Sequence, residues 1–157
     1  MAFIFPAPGV TNTEMTLEIR VSGDTSALNI PAVQDITINN SNDVFTWTQL
    51  DEGSKLQIPT TATNSIDTNI VLDQTIFFGD GASSNVAINK GIFGLSKDKQ
   101  LVSFAIFLGK TSTGGAGKSL TGTGYITGLA PTVSADAPVW VSPVTITVTG
   151  DYTEVPA

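Results

Sequence analysis

The chain of 157 residues has no cysteine, no histidine and a single arginine, Arg20. Without cysteine there can be no disulfide, thiol nucleophile, iron–sulfur cluster or thiolate zinc site. Without histidine it also lacks the commonest general base and the commonest metal ligand. Serine, cysteine and metal–histidine hydrolases in their usual forms are therefore excluded. Basic charge is scarce as well: 7 Lys and Arg stand against 14 Asp and Glu, a formal net charge of −7. Nucleic-acid binders draw most of their non-specific affinity from Lys and Arg contacts to phosphate, and anionic membranes attract proteins in the same way. Both partners are disfavoured here. No apolar run approaches the roughly 18 residues of a membrane span. The start of the chain has neither a basic segment nor a signal-length apolar one, so no cleaved export signal is expected.

What is present is β-forming. Hydrophobic residues make up 41% and charged ones 13%, which argues against disorder. Polarity comes from hydroxyls, with 22 threonines and 13 serines beside 15 glycines and 8 prolines. That mixture suits strands and turns. The length fits one domain, taken as residues 1–157.

Periodicity places the elements. Residues 1–13 read as an irregular arm, because prolines and a glycine precede any pattern. From Met15 to Val21, apolar Met15, Leu17, Ile19 and Val21 alternate with Thr16, Glu18 and Arg20, the mark of a half-buried strand. Ile36 and Ile38 suggest a short strand ended by Asn39–Asn42. Phe45–Thr48 and Lys55–Ile58 alternate on either side of Asp51-Glu52-Gly53 and predict a hairpin. Residues 59–69 are almost wholly Thr, Ala, Asn and Ser and read as an extended polar loop. Ile70–Phe78 reads as an apolar strand. Ser84 as N-cap, with Ile88, Ile92 and Leu95 at helical spacing, predicts a helix from about Asn85 to Ser96. Gly91 and Gly94 weaken it by about 1 kcal/mol each relative to alanine.

Leu101–Leu108 is nearly continuous apolar sequence, a strand covered on both faces. A flexible loop, 109–119, leads to a glycine- and threonine-rich strand at Leu120–Leu129. After a connection at Pro131–Pro138 come Val139–Val141 and the alternating Val144–Thr149. The expected fold is mainly β: a β-sandwich or partly closed barrel of about eight strands, with one short α-helix packed on it, long loops and an N-terminal arm.

Motifs for chemistry fail on inspection. Gly114–Ser119 resembles a phosphate loop, but Ser112 stands where its first glycine belongs and a strand, not a helix, follows. Gly122, Gly124 and Gly128 miss the dinucleotide spacing, and glycines in a strand more often mark bulges or close packing. With 14 carboxylates some glycosidase-like pair always exists. No calcium loop is spaced correctly. No catalytic, cofactor or metal site is expected.

The surface is more informative. Ile70–Phe78 and Leu120–Leu129 carry no lysine or proline to blunt an edge, which suits pairing with neighbouring subunits. The arm and the 59–69 loop exceed simple hairpin connections, and loops of that length are usually functional or mobile. Candidate contact residues are Phe5 and Pro6 in the arm, then Phe45, Trp47, Leu56 and Ile58 in the hairpin. Thr60, Thr61 and Ile66 in the loop and Trp140 complete the set. A carbohydrate-binding module using Trp47 and Trp140 is the alternative of a different class.

The element order carries a resemblance. An arm leads into Met15–Val21, Phe45-Thr46-Trp47-Thr48-Gln49-Leu50-Asp51 precedes a threonine-rich segment, and a glycine-containing helix runs into Phe104-Ala105-Ile106-Phe107-Leu108. Asp136-Ala137-Pro138-Val139-Trp140 and Val144–Gly150 close the chain. This order resembles the major tail tube proteins of long-tailed bacteriophages. The resemblance implies a non-enzymatic virion protein, assembled in the host cytoplasm, that forms stacked and typically hexameric rings. Their inner sheets would join into one barrel around the tape measure protein, a conduit for double-stranded DNA. Implied partners are other copies of the chain, tape measure protein and DNA without tight binding, and tail-end capping proteins. No membrane partner and no appended immunoglobulin-like domain are expected. Neck or head-decoration proteins are the nearer alternatives. By alternation, Thr16 and Glu18 are candidates to line the lumen.

Overall fold

The computed structural model describes residues 4–5, 16–30, 33–51, 53–111 and 117–156; for Ile4, Phe5, Val33, Lys110, Thr111 and Ala137 only the backbone is described. The elements are β1 (Ile4–Phe5), β2 (Thr16–Arg20), β3 (Leu28–Ile30), β4 (Val33–Trp47) and β5 (Leu56–Val71), then α1 (Gln74–Phe78) and α2 (Val86–Lys97). β6 (Val102–Phe107), β7 (Lys110–Thr111), β8 (Lys118–Leu129), β9 (Thr132–Ser134) and β10 (Ala137–Pro156) follow. One eight-stranded antiparallel sheet has the order β3-β2-β6-β8-β10-β5-β4, with β9 paired to β10; β1 and β7 form a separate two-stranded pair. The expected mainly-β fold of about eight strands with a packed helix is observed. The eight strands form one sheet rather than two.

That sheet is rolled. β3 and β4 are its opposite edges, yet only Pro31 and Ala32 separate Ile30 from Val33 in sequence. Three consecutive Cα–Cα steps of 3.8 Å let these residues lie at most about 11 Å apart. The two edges therefore approach, and no pairing joins them among the described residues. The result is a partly closed barrel.

Alternation sets its two faces. Leu17 and Ile19 of β2, Val102, Phe104 and Ile106 of β6, Ile126 of β8, Val144, Ile146 and Val148 of β10, and Ile66 and Ile70 of β5 are all buried. Phe77 of α1 and Ala87, Ile92 and Leu95 of α2 join the same core. Two strand glycines serve this packing. A Cβ on Gly122 would lie 2.8 Å from the Phe104 ring, and one on Gly124 would lie 2.3 Å from the Thr147 carbonyl oxygen.

Several boundaries differ from the sequence reading, each for a local reason. Residues 59–69 are not a loop but the middle of β5. Asn64, Ile66, Thr68 and Ile70 alternate inward there. The two polar ones are satisfied: Asn64 Nδ2 donates to Gly150 O at 2.8 Å, and the Thr68 hydroxyl donates to Asp35 O. Polar residues at core positions hid the strand. β4 likewise runs unbroken through Asn39–Asn42. Ile70–Phe78 changes from strand to helix at Asp73, whose carboxylate accepts from Thr75 N at 3.0 Å and Ile76 N at 3.1 Å. Of the two segments expected to present free edges, Leu120–Leu129 lies in β8, inside the sheet, and Ile70–Phe78 supplies only the last two residues of β5, also inside it, before passing into α1; the strand order ends at β3 and β4. The predicted loop 109–119 includes β7 and the start of β8, while 112–116 fall outside the described residues. Of the arm, only β1 is described.

Helix α2 covers the predicted span to within one residue, but its cap comes from elsewhere. Asn85 is the N-cap residue, and its side chain makes no capping bond. Instead the Asp24 carboxylate, on the turn between β2 and β3, accepts from Val86 N at 2.7 Å, Ala87 N at 3.1 Å and Val21 N at 3.1 Å. Asn85 Oδ1 in turn accepts from Thr25 N at 2.7 Å. Helix and turn lock each other. Burial presses the Asp24 carboxyl upward, but the Ala87, Val86 and Val21 amides and the Arg20 charge outweigh it and hold its pKa below the ordinary aspartate value.

Asp24→Ala is therefore expected to cost about 1–2 kcal/mol, the upper part of the capping range. The sign of the pH dependence follows from the lowered folded-state pKa. The stabilisation is full above the unfolded-state value, about pH 4, and fades as pH falls through the folded-state value. Urea melts at about pH 6 and about pH 3 should show the variant's deficit shrinking with acid. A deficit that does not change with pH would mean the carboxylate charge contributes nothing.

Candidate assembly surfaces

The β4–β5 hairpin is longer than the sheet that carries it. β10 pairs with β5 only from Asn64 to Val71, whereas β4 pairs with β5 as far as Trp47↔Leu56. Residues 41–47 and 56–63 therefore leave the sheet as a two-stranded ribbon. At about 3.4 Å per residue, it reaches roughly 24 Å. Its departure point is gripped by a bulge in β10, between the Thr149 and Thr153 pairings with β8. There Gly150 has φ +88°, and its carbonyl takes the bond from Asn64. The Tyr152 hydroxyl lies 2.8 Å from Asn39 O and 2.9 Å from Ser65 O, and can donate to one at a time. Burial pushes that hydroxyl's pKa up, so it remains a donor.

Directly opposed residues share a face in an antiparallel pair. Phe45↔Ile58 and Trp47↔Leu56 are such pairs, so these four apolar side chains line one side of the ribbon. The Phe45 and Trp47 rings stack with centroids 5.8 Å apart. Phe45 is nevertheless 59% exposed and Ile58 50%. Thr60 and Thr61 hold the irregularity beside them: Thr60 Oγ1 donates to Asp43 O at 3.2 Å, and Thr61 Oγ1 to Asp43 Oδ2 at 3.0 Å. The hairpin residues singled out from sequence thus come together. Ile66 does not join them, because it is fully buried in the core and cannot be a contact residue of the folded protomer. The side chain of Phe5 and all of Pro6 lie outside the described parts.

Trp140 belongs to a second surface at the other end of β5. Leu72 N donates to Trp140 O at 2.9 Å, bringing β10 against the exit of β5. An apolar pocket of about 460 Å³ opens there, lined by Leu72, Phe77, Phe78, Phe93, Pro131 and Trp140, with Gln74 at its side. Phe78 and Trp140 are both more than half exposed. Sequence reasoning missed this pocket except for Trp140. Its walls come from the β5 exit, both helices, the β8–β9 link and β10, so no single stretch shows it. The Asp73 capping residue was the one local signal that Phe77 and Phe78 sit on a helix rather than a strand.

The pocket wall depends on a close crossing of the helices. Gly91 interrupts α2 with φ 67°, ψ −179°, and Gly79 ends α1 with φ 83°, ψ 166°. A Cβ on Gly91 would stand 2.3 Å from Gly79 N, and one on Gly79 would stand 2.0 Å from Asn89 O. Gly81 N and Asp80 N donate across the crossing to Asn89 O and Ile88 O. The contact brings the rings of Phe78 and Phe93 to 5.7 Å.

The third surface is the helix-free face of the sheet. Register places Glu18 opposite Ala105, Ala105 opposite Thr121, Thr121 opposite Thr153, and Thr145 opposite Asp67. Thr16 lies in the same face of β2, opposite Phe107. The face is a field of hydroxyls, including a Thr127–Thr147 bond of 2.8 Å. Glu18, Asp35 and Asp67 are its acids among the described paired rows, against Arg20. Among the described residues no group of three acids is placed to hold a metal ion, and no helix is long and apolar enough to cross a membrane.

Solved tail and tube proteins share this fold. A gene transfer agent tail with C6 helical symmetry matches over 96% of this chain and 100% of its own, with a TM-score of 0.65 and 12% identity. The SPP1 tail tube matches over 96% of this chain and 80% of its own, with a TM-score of 0.64 and 12% identity. A sheath–tube complex of an extracellular contractile injection system matches over 96% and 93%, with a TM-score of 0.60 and 12% identity. No protein-family model matches the sequence, and no curated protein matches it.

Proposed function

We propose that the chain is the self-assembling subunit of a tail tube, a non-enzymatic structural protein that forms rings and stacks them around a lumen. The observation that carries this reading is the ribbon. An isolated two-stranded hairpin is marginal in water, and this one also exposes an aromatic and aliphatic face. A lone protomer leaves that face in water; a neighbouring copy covers it. The shared fold, with solved relatives that are themselves tail and tube assemblies, supports the same reading. In this reading the chain belongs to a virion tail or a related tube, assembled in the host cytoplasm. Tape measure protein and DNA would occupy the lumen, and capping proteins the ends.

The hydroxyl-rich face, with Thr16 and Glu18, then lines the lumen. Its acids repel phosphate over a Debye length of about 8 Å, so DNA passes without sticking. A sugar-binding role for Trp140 is less well supported, since the pocket beside it offers one polar side chain, Gln74, to a polyhydroxyl ligand.

Electron microscopy of the concentrated protein tests the assembly: rings or tubes are expected, and a monomer at every concentration would refute it. The lumen assignment has its own test. Assembled wild-type tubes should not retain duplex DNA at about 0.1 M salt, where only cationic contacts give non-specific affinity. A Thr16→Lys, Glu18→Lys double variant should retain it in a salt-sensitive manner, or slow its passage. Tubes of the variant that behave like wild type would take these positions off the lumen.

A further inference from the structure

We infer that Tyr152, with Asn64 beside it, is a strut across a fork in the sheet and fixes the angle at which the β4–β5 ribbon leaves. β10 and β5 stay paired as far as Val148↔Asn64, and there they part. β10 goes on with β8, through Thr149↔Thr123 and, past its bulge, from Thr153↔Thr121 to Pro156↔Lys118. β5 goes on with β4, out to Trp47↔Leu56. Beyond the fork no ladder joins the two branches among the described residues. Side chains must set the angle between them. The angles open to paired strands are wide, about 10–35° and larger still in two-stranded ribbons. For a ribbon of roughly 24 Å, a swing of about 20° moves the far end by about 8 Å.

Among the described residues, two side chains cross the fork, and both reach the last rows of β4–β5 before the ribbon. Asn64 is 2% exposed; its Nδ2 donates to Gly150 O at 2.8 Å, and its Oδ1 accepts from Asn40 Nδ2. Tyr152 spans more. Its ring meets the buried Phe104 ring of β6 edge-on, with centroids 6.3 Å apart, so its base is braced on the core. Its hydroxyl reaches the carbonyls of Asn39 and Ser65, directly opposed residues on the two strands of the ribbon's root. On the polar face, Asp67 accepts from Asn39 Nδ2 at 2.7 Å and from Thr145 Oγ1 at 2.9 Å, tying the same root to β10 where the ladder is intact. Farther out, Thr60 and Thr61 bond to Asp43, within the ribbon itself. The root is held from β10, and the rest of the ribbon by its own pairing.

Because the chain has no cysteine, two introduced thiols carry spin labels without background: Gln57→Cys near the ribbon's end and Ser103→Cys on β6, both exposed positions. Pulsed electron resonance gives the distance between them in the dilute protomer, and amide hydrogen exchange is followed on the unlabelled chain. All readings are taken on lone protomers, so the outcome is independent of whether copies build a tube. The wild type should give one narrow distance distribution. Tyr152→Phe keeps the ring on Phe104 and loses the hydroxyl. Its distribution should widen by up to about 8 Å. Exchange should quicken about five-fold, the worth of one hydrogen bond, at residues 41–47 and 56–63 but not in β6. Tyr125→Phe, which removes a hydroxyl from a tyrosine 39% exposed on β8, should match the wild type. A broad wild-type distribution, or a Tyr152→Phe distribution as narrow as the wild type's, would overturn the strut. Exchange quickened equally in β6 would overturn it too, since Tyr152 would then stabilise the whole fold rather than one joint. If thermal melting shows that Tyr152→Phe does not fold, Asn64→Ala, which cuts the second tie, takes its place with the same outcomes.

Discussion

Gly91→Ala is expected to destabilise the fold by about 4 kcal/mol, combining backbone strain of about 1–3 kcal/mol with overpacking of similar size. For a domain of this length that lowers the melting temperature by about 8–16 °C. Both contributions are visible in the structure. The residue's φ of 67° and ψ of −179° fall in a region that only glycine occupies freely. The new Cβ would also stand 2.3 Å from Gly79 N and 2.7 Å from Phe77 O, both backbone atoms that cannot swing aside. Gly23→Ala separates the two effects. Gly23 has φ +95°, but a methyl group added there would meet nothing within 4 Å, so it carries strain alone, about 1–2 kcal/mol. Calorimetry of the two variants checks the ordering. Equal losses would mean that the helix crossing yields easily, and the aromatic pocket would then be softer than its geometry indicates.

The same residue marks where sequence reading ran out. Periodicity treats Gly91 and Gly94 alike, as weak points of a helix. The structure separates them: Gly94 is helical and faces the Lys90 side chain, whereas Gly91 breaks the helix so that two backbones can touch. Nothing in the one-dimensional pattern distinguishes a glycine crowded by a side chain of its own helix from one that lets two backbones touch, because the partner, Gly79, belongs to another element. Local signals did better wherever one face is apolar. Leu17 and Ile19, and Val144, Ile146 and Val148, alternate in sequence and are buried as alternation requires. The hairpin pairing of Phe45–Trp47 with Leu56–Ile58 was also legible, since turn residues separate two alternating runs.

β5 shows the opposite case. Its inward positions include Asn64 and Thr68, which are buried because Gly150 and Asp35 carbonyls receive their protons. Composition alone reads such a stretch as a loop. Its outer half, 57–63, is exposed on both sides, so no alternation exists to be read. Ile66 was misplaced for the same reason: alone among polar neighbours it looks like a sticky surface residue, whereas it is the centre of a strand. The pocket was illegible as a unit because its lining is contributed by distant segments. The rolled sheet is the more instructive example. Once the strand order is known, the two-residue link between β3 and β4 forces its edges together, yet in the sequence that link is merely short.

Replacing Phe45 and Trp47 together with aspartate and serine is expected to leave the protomer folded and abolish its assembly. Phe45 is more than half exposed, and the ribbon lies outside the core, so melting should shift by no more than the roughly 0.5 kcal/mol usual for surface changes. In an interface, buried aromatic anchors cost at least about 2 kcal/mol each when truncated. That is about 30-fold in affinity for each anchor. A stack multiplies the loss, because every ring added would lack all of its ribbon contacts at once. Sedimentation and electron microscopy of the variant should therefore show small species at concentrations where the wild type forms tubes. Thr46→Asp is the matched control. It places a charge on the same strand but on the opposite side of the ribbon from Phe45 and Trp47. If Thr46→Asp blocks tubes as thoroughly as the double variant, the ribbon matters as a whole rather than through its aromatic face. If the double variant still builds tubes, the aromatic face is not what joins the copies, and the open strand edges, β3 and β4 among them, become the candidates.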